Sequence, residues 1–177
     1  MIKKEEQAPE NRNKSKKKKI EINKKDITLI IIVITIILID QITKIVIKSM
    51  GETSVISGIL TFRINENTNG AYGIGASSSF MYVITNLVIL SVILKFIMTQ
   101  NEYVDKKIKI ILSFILAGGI SNVIDRIFRG YVLEFIDFKD KINIPVFNIA
   151  DIFILLGWTA FVVIFISFII KEWKKRK

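Results

Sequence analysis

Long apolar runs and short polar blocks alternate along this chain. Residues 27–47 (ITLIIIVITIILIDQITKIVI) form the first run, long enough to cross a hydrocarbon core of about 30 Å as a helix. Its Ile and Val content would favour a strand in water. In lipid every backbone polar group must be satisfied within the segment, and that selects helix. Further runs cover residues 80–98, 108–128 and 146–170. Residues 49–79 break the pattern: Gly51, Gly58, Gly70, Gly73 and Gly75, with Asn65, Asn67 and Asn69, punctuate short β-prone stretches such as TSVISGILTFRIN. The pattern predicts an all-α membrane protein of four transmembrane helices, with a small extracytoplasmic β-cradle between spans one and two.

The flanks complete the domain plan. Residues 1–25 are lysine-rich and have no apolar face, as expected of a disordered cytoplasmic tail in contact with anionic lipid. The run that follows is too long for the core of a cleaved leader, and no small-x-small site closes it. Residues 26–171 make up one four-helix domain, and 172–177 (EWKKRK) form a second basic tail. Most basic residues fall in these tails, at Lys95 and at Lys106, Lys107 and Lys109. Four spans put these blocks on one side, so the positive-inside rule makes both termini cytoplasmic.

Composition narrows the chemistry. The net charge of +10 sits at segment ends, which is a topology signal; a nucleic-acid partner is not expected. The sequence contains no Cys and no His. Disulfides, thiolate nucleophiles, imidazole bases and the common zinc sites are thereby excluded. No metal or cofactor is expected.

What remains is carboxylate chemistry. Two Asn-x-x-acid pairs, Asn122/Asp125 and Asn148/Asp151, bracket a segment that also holds Glu134, Asp137 and Asp140. Span three reaches Asp125 after about 27 Å of helix, and Asp151 lies about 30 Å from the other end of span four. Both therefore fall in the outer leaflet, beside Asp40 and Lys44, which are spaced i,i+4 on one face of span one. Acids inside a membrane are costly and point to function. Two carboxyls held close share a proton, so one can activate a water while the other polarises a carbonyl. A serine activated by Lys44 is the alternative, with Ser54, Ser57 and Ser121 as candidates, but none has a recognisable nucleophile context.

Five motifs now stand in order: Asp40-Gln41-x-x-Lys44; Asn67 in NTNGAYGI; GGxxNxxDR at Gly118–Arg126; Gly130-x-Val132; and Phe147-Asn148-x-Ala150-Asp151. Together they resemble lipoprotein signal peptidase, the type II signal peptidase family, over residues 27–170. The resemblance implies a monomeric aspartic endopeptidase of the bacterial cytoplasmic membrane. It would cut diacylglyceryl-modified prolipoproteins before the lipidated cysteine, with its active site at the extracytoplasmic face and membrane lipid around it. The family pairs the Asp of FNxAD, here Asp151, with the Asp of GxVxDF. This chain reads Gly130-Tyr131-Val132-Leu133-Glu134-Phe135, so Glu134 stands in the second position. Asp137 is the alternative second acid.

The resemblance assigns Asn67 to substrate contact. Asn122 and Asn148 are read as groups that orient the carboxylates, or as helix caps. Arg126 holds substrate or lipid phosphate, or pairs with Asp125. Asp40 and Lys44 support the site, and Asp125 is structural. Two other readings stay open: an inactive relative that binds lipoproteins without cutting them, motivated by Glu134, and a small proton-coupled membrane carrier.

Overall fold

The computed structural model describes residues 24–69, 79–98, 105–138, 142 and 144–177. Most of the predicted N-terminal tail, Gly70, Gly73 and Gly75 of the cradle, and Asp140 lie outside these residues. The order of elements is α1 (Lys24–Met50), β1 (Thr53–Ile56), β2 (Leu60–Asn67), α2 (Ser79–Met98), α3 (Lys106–Arg129), β3 (Val132–Asp137) and α4 (Ile149–Lys175). All four helices are long and apolar enough to span a membrane. They match the four predicted spans, with ends displaced by a few residues where caps rather than hydropathy decide. α4, for example, starts at Ile149 because Asn148 caps it.

α3 is the axis of the bundle. It packs against α1, α2 and α4, and 56% of its most apolar window is buried, against 22% or less for each of the others. Leu29 of α1, Leu90, Ile93 and Ile97 of α2, and Ile115, Leu116 and Val123 of α3 form the apolar core. The outer faces stay exposed, including Ile30, Ile31 and Ile34 of α1 and Val163, Phe165 and Ile166 of α4. Such a coat is what hydrocarbon, rather than water, requires.

Glycines set the helix spacing. A Cβ on Gly118 would fall 2.4 Å from the Ala150 carbonyl oxygen and 2.7 Å from Ile154 Cγ1, so α3 and α4 are in backbone contact there. At Gly119 the nearest atom is only the flexible end of Leu90, at 2.5 Å.

The sheet differs from the prediction in one respect: it has a third strand. β1, β2 and β3 are antiparallel in that order, and β3 comes from between spans three and four. Its sequence, VLEFID, lacks the alternation of a half-exposed strand because its first four residues are all buried. The β2–β3 ladder sets Asn65 opposite Glu134 and Asn67 opposite Val132, with an irregularity between Phe62 and Asn65. The sheet therefore joins the end of the bundle where α1 and α3 finish and α4 begins.

Gly118→Ala should cost about 1–3 kcal/mol of stability through overpacking. Because the clash is with the carbonyl next to Asp151, it should also cost activity. Gly119→Ala should be milder, since Leu90 can change rotamer. Thermal unfolding in detergent, with turnover measured on the same samples, checks the order.

Candidate active site

The site begins with a charge buried in the bundle. Asp40 and Lys44 of α1 and Asp125 of α3 are each fully buried. Lys44 Nζ lies 2.7 Å from Asp40 Oδ2 and 2.8 Å from Asp125 Oδ2, and donates to Asn122 Oδ1 at 3.3 Å. The remaining acceptor positions are also filled. Ser121 Oγ and the Ala150 N–H donate to Asp40 at 2.7 and 2.9 Å. Gln41 Nε2 and the Leu133 N–H donate to Asp125 at 2.9 and 3.0 Å, and Arg129 pairs with it as well. Two acids and two bases thus balance inside the protein, tying α1, α3, β3 and the start of α4 together. A buried charge is tolerated on these terms alone.

One expectation for Arg126, a pairing with Asp125, is not met. Neighbouring helix residues point about 100° apart and do not face each other. Asp125 takes Arg129, one turn on, while Arg126 turns to the other side. There its Nη2 donates to the Asn69 carbonyl at 2.9 Å, and its guanidinium lies 5.5 Å from the Tyr82 ring centre. Its Nε is buried and makes no hydrogen bond among the described residues.

From α3 the chain is steered into the site by a single glycine. Gly130 ends the helix at φ 83°, a left-handed conformation costly for other residues, and donates its N–H to the Arg126 carbonyl. β3 follows at once. Its Ile136 N–H and Phe135 N–H both donate to the Phe147 carbonyl, and Phe147 N–H returns a bond to Ile136. Phe147 is therefore stitched to β3 immediately before α4. Asn148 then makes a reciprocal capping box with Asp151: its side chain accepts the Asp151 N–H at 2.9 Å, and Asp151 Oδ2 accepts the Asn148 N–H at 3.0 Å. The Asn148 amide also donates to Asn122 Oδ1 and to the Leu133 carbonyl.

The two Asn-x-x-acid motifs are not equivalent. Asn148 serves its own acid. Asn122 instead donates to Asp151 Oδ1 at 2.8 Å, across the α3–α4 contact, while its oxygen faces Lys44. Asp151 is thereby held at both oxygens.

Glu134 is held in the same way from the sheet. Asn67 Nδ2 donates to Oε1 and Asn65 Nδ2 to Oε2, each at 2.6 Å. The side chain is only 9% exposed. Burial pushes its carboxyl above the ordinary value; the Asn67 and Asn65 amides oppose this, the Asp151 charge adds to it and the Arg126 charge opposes it. Glu134, Asp151 and Arg126 thus act on one another electrostatically. Asp137, three residues on, belongs to the opposite face of β3, and Arg63 Nε lies 3.1 Å from it. Among the described residues no group of three or more acids is disposed to hold a metal ion.

Asp40, Lys44, Asn67, Asn122, Arg126, Glu134, Asn148 and Asp151 therefore lie in one connected cluster. Gln41, quoted only as a motif letter, and Ser121, weighed only as a nucleophile, prove to be hydrogen-bond partners of the buried ions, while Asn65 and Arg129 carry no site role in the sequence reading. Asn65 and Asn67 share a strand face two residues apart, the one signal that would have exposed Asn65.

A family model described as signal peptidase (SPase) II matches residues 32–168, which include every residue of this cluster. The chain belongs to the signal peptidase II family. It is 41% identical over 143 residues to a lipoprotein signal peptidase of Clostridium tetani, covering 77% of this chain and 88% of that one. It is 33% identical over 148 residues to one from Halalkalibacterium halodurans, covering 80% and 92%. Among solved structures, a bacterial membrane enzyme determined by the in meso method at 2.3 Å resolution is similar, with a TM-score of 0.71 and 28% identity. That match covers 85% of this chain and 92% of the other. This signal peptidase II family member is accordingly a multi-pass membrane protein and a lipoprotein-processing protease.

Lys44→Met would leave Asp40 and Asp125 buried with one cation fewer. It should cost about 3–5 kcal/mol, read as a lower unfolding midpoint in detergent. Glu134 makes a pH-dependent prediction. Its folded pKa lies above its unfolded one, so the stability it contributes is complete below about 4.5 and is lost as pH rises through the raised value. Glu134→Gln should then gain on the parent as pH rises from about 4 to about 8. Unfolding midpoints of the two proteins that stay parallel across that range would contradict it.

Proposed function

We propose that the protein is an intramembrane aspartic endopeptidase, with Glu134 and Asp151 as its acid pair. It removes signal peptides from diacylglyceryl-modified prolipoproteins by cleaving before the lipidated cysteine. It works as a monomer in the bacterial cytoplasmic membrane, with both termini cytoplasmic and the acids at the extracytoplasmic face. The observation that carries this reading is the matched clamping of two carboxyls from two different elements, Glu134 by β2 and Asp151 by α3 and the α4 cap.

Glu134, whose neutral form burial favours, is assigned as the proton donor to the scissile carbonyl oxygen. Asp151, held at both oxygens, takes a proton from the attacking water, whose oxygen bonds to the carbonyl carbon. Collapse of the tetrahedral intermediate breaks the C–N bond. The proton on Asp151 passes to the leaving amine, and Glu134 recovers its own from the hydroxyl. Arg126, with one buried N–H unused among the described residues, is suited to a substrate carbonyl or a lipid phosphate.

Asp151→Asn should abolish cleavage of a diacylglyceryl-modified substrate in detergent while leaving the unfolding transition cooperative, and Glu134→Gln should do the same. Turnover surviving in either variant removes that acid from the chemistry. Binding of the lipopeptide by the parent without any product would favour the inactive-relative reading. Proton flux in sealed vesicles without peptide product would favour a carrier.

A further inference from the structure

Asn65 lies outside every motif of the sequence, and the geometry gives it a task. It is paired across the ladder with Glu134 and gives that carboxyl one of its two amide hydrogen bonds, at 2.6 Å to Oε2. Asn67 supplies the other, to Oε1. A glutamate has one more rotatable bond than the aspartate that the family pattern calls for here, and so more freedom to lose on being held in a single pose. Two donors on neighbouring same-face positions of one strand remove that freedom, because they fix both the reach of the carboxyl and its rotation.

The amides also matter during the reaction. Glu134 becomes a carboxylate as it gives up its proton, and a hydrogen bond to a charged oxygen is stronger than one to a neutral oxygen. The same amide therefore binds the transition state better than the ground state, which is the condition for raising kcat. The other charged groups that act on Glu134 are Asp151 from α4 and Arg126 from α3. β2 contributes only neutral amides to it, and Glu66, between the two asparagines, turns to the opposite face, where Lys48 Nζ is 3.5 Å away.

We propose that Asn65 is a positioning residue for the proteolytic step: its side-chain amide holds Glu134 Oε2 in the reacting pose and stabilises the carboxylate formed there, a role matched to the length of glutamate. This rests on the reading of Glu134 and Asp151 as the acid pair.

The test uses the full chain in detergent–lipid micelles and a fluorogenic diacylglyceryl-modified lipopeptide, with kcat and KM measured across pH. Asn65→Ala should lower kcat about 10- to 100-fold, the worth of one hydrogen bond to a charged group, with KM nearly unchanged. Its alkaline limb, governed by Glu134 as proton donor, should move to higher pH, because a donor to the ionised form has gone. In a Glu134→Asp background the carboxyl recedes by about 1.5 Å and leaves the reach of Asn65, so adding Asn65→Ala there should change little. Asn65→Thr, β-branched and suited to a strand, should reproduce the Asn65→Ala kinetics and serves where the alanine variant does not fold.

A fall in kcat with an unmoved alkaline limb would overturn the assignment, as would full multiplication of the two losses in the double variant. If Glu134→Gln is inactive while the Asn65 variants match the parent, the inference fails and the acid pair stands. If Glu134→Gln cleaves normally, the acid pair itself is wrong.

Discussion

Everything at the sheet-bearing end of this helix bundle depends on one ammonium group placed where water cannot reach it. Lys44 has no exposed surface, and it satisfies Asp40 from its own helix and Asp125 from the central one. An isolated buried lysine would lose its proton or unfold the bundle, and two isolated aspartates would do the converse. Together, with Arg129 completing the balance, they form a neutral polar plug in an apolar helix contact. The plug also serves as a coupling. Asp40 accepts the Ala150 N–H in the first turn of α4, and Asp125 accepts an N–H of β3, so the elements that carry Asp151 and Glu134 are fastened to the same ion cluster.

That arrangement explains why acids are arrayed in two layers here. The inner layer is saturated with cations and donors and has no capacity left for chemistry. The outer layer, Glu134 and Asp151, is held by neutral donors, two amides on one acid and an amide and a backbone N–H on the other. Neutral donors orient a carboxyl without committing it to one protonation state as strongly as a salt bridge does. Arg126 stands beside this pair, engaged by the Asn69 carbonyl and the Tyr82 ring rather than by an acid of its own helix.

Much of this was legible in the residue order, and the reasons are physical. The four spans announce themselves because crossing lipid demands length and apolarity over a single stretch. The pairing of Asp40 with Lys44 follows from helical spacing. β3 was hidden because VLEFID is buried on both faces and so carries no period of two. Asn65 was read as turn punctuation, since Asn is depleted in strands and its neighbours are Gly- and Asn-rich. The partner of Asp125 is not legible from adjacency, which says little about neighbours on a helix: Arg129 reaches it, and of the two readings open for Arg126 the pairing with Asp125 is the one not formed. Asn122 crosses to the acid of the other motif, a contact that no local spacing encodes.

The short bridge between Phe147 and β3 has a further meaning. One acid belongs to a sheet and the other to a helix, so their separation is a fit between two rigid bodies rather than a property of one loop. Phe147 ties β3 to the start of α4 and Gly130 ties β3 to the end of α3, and both joints are backbone. The placement of Glu134 relative to Asp151 is therefore set by main-chain joints at both ends of β3, which substitution of neighbouring side chains would leave in place.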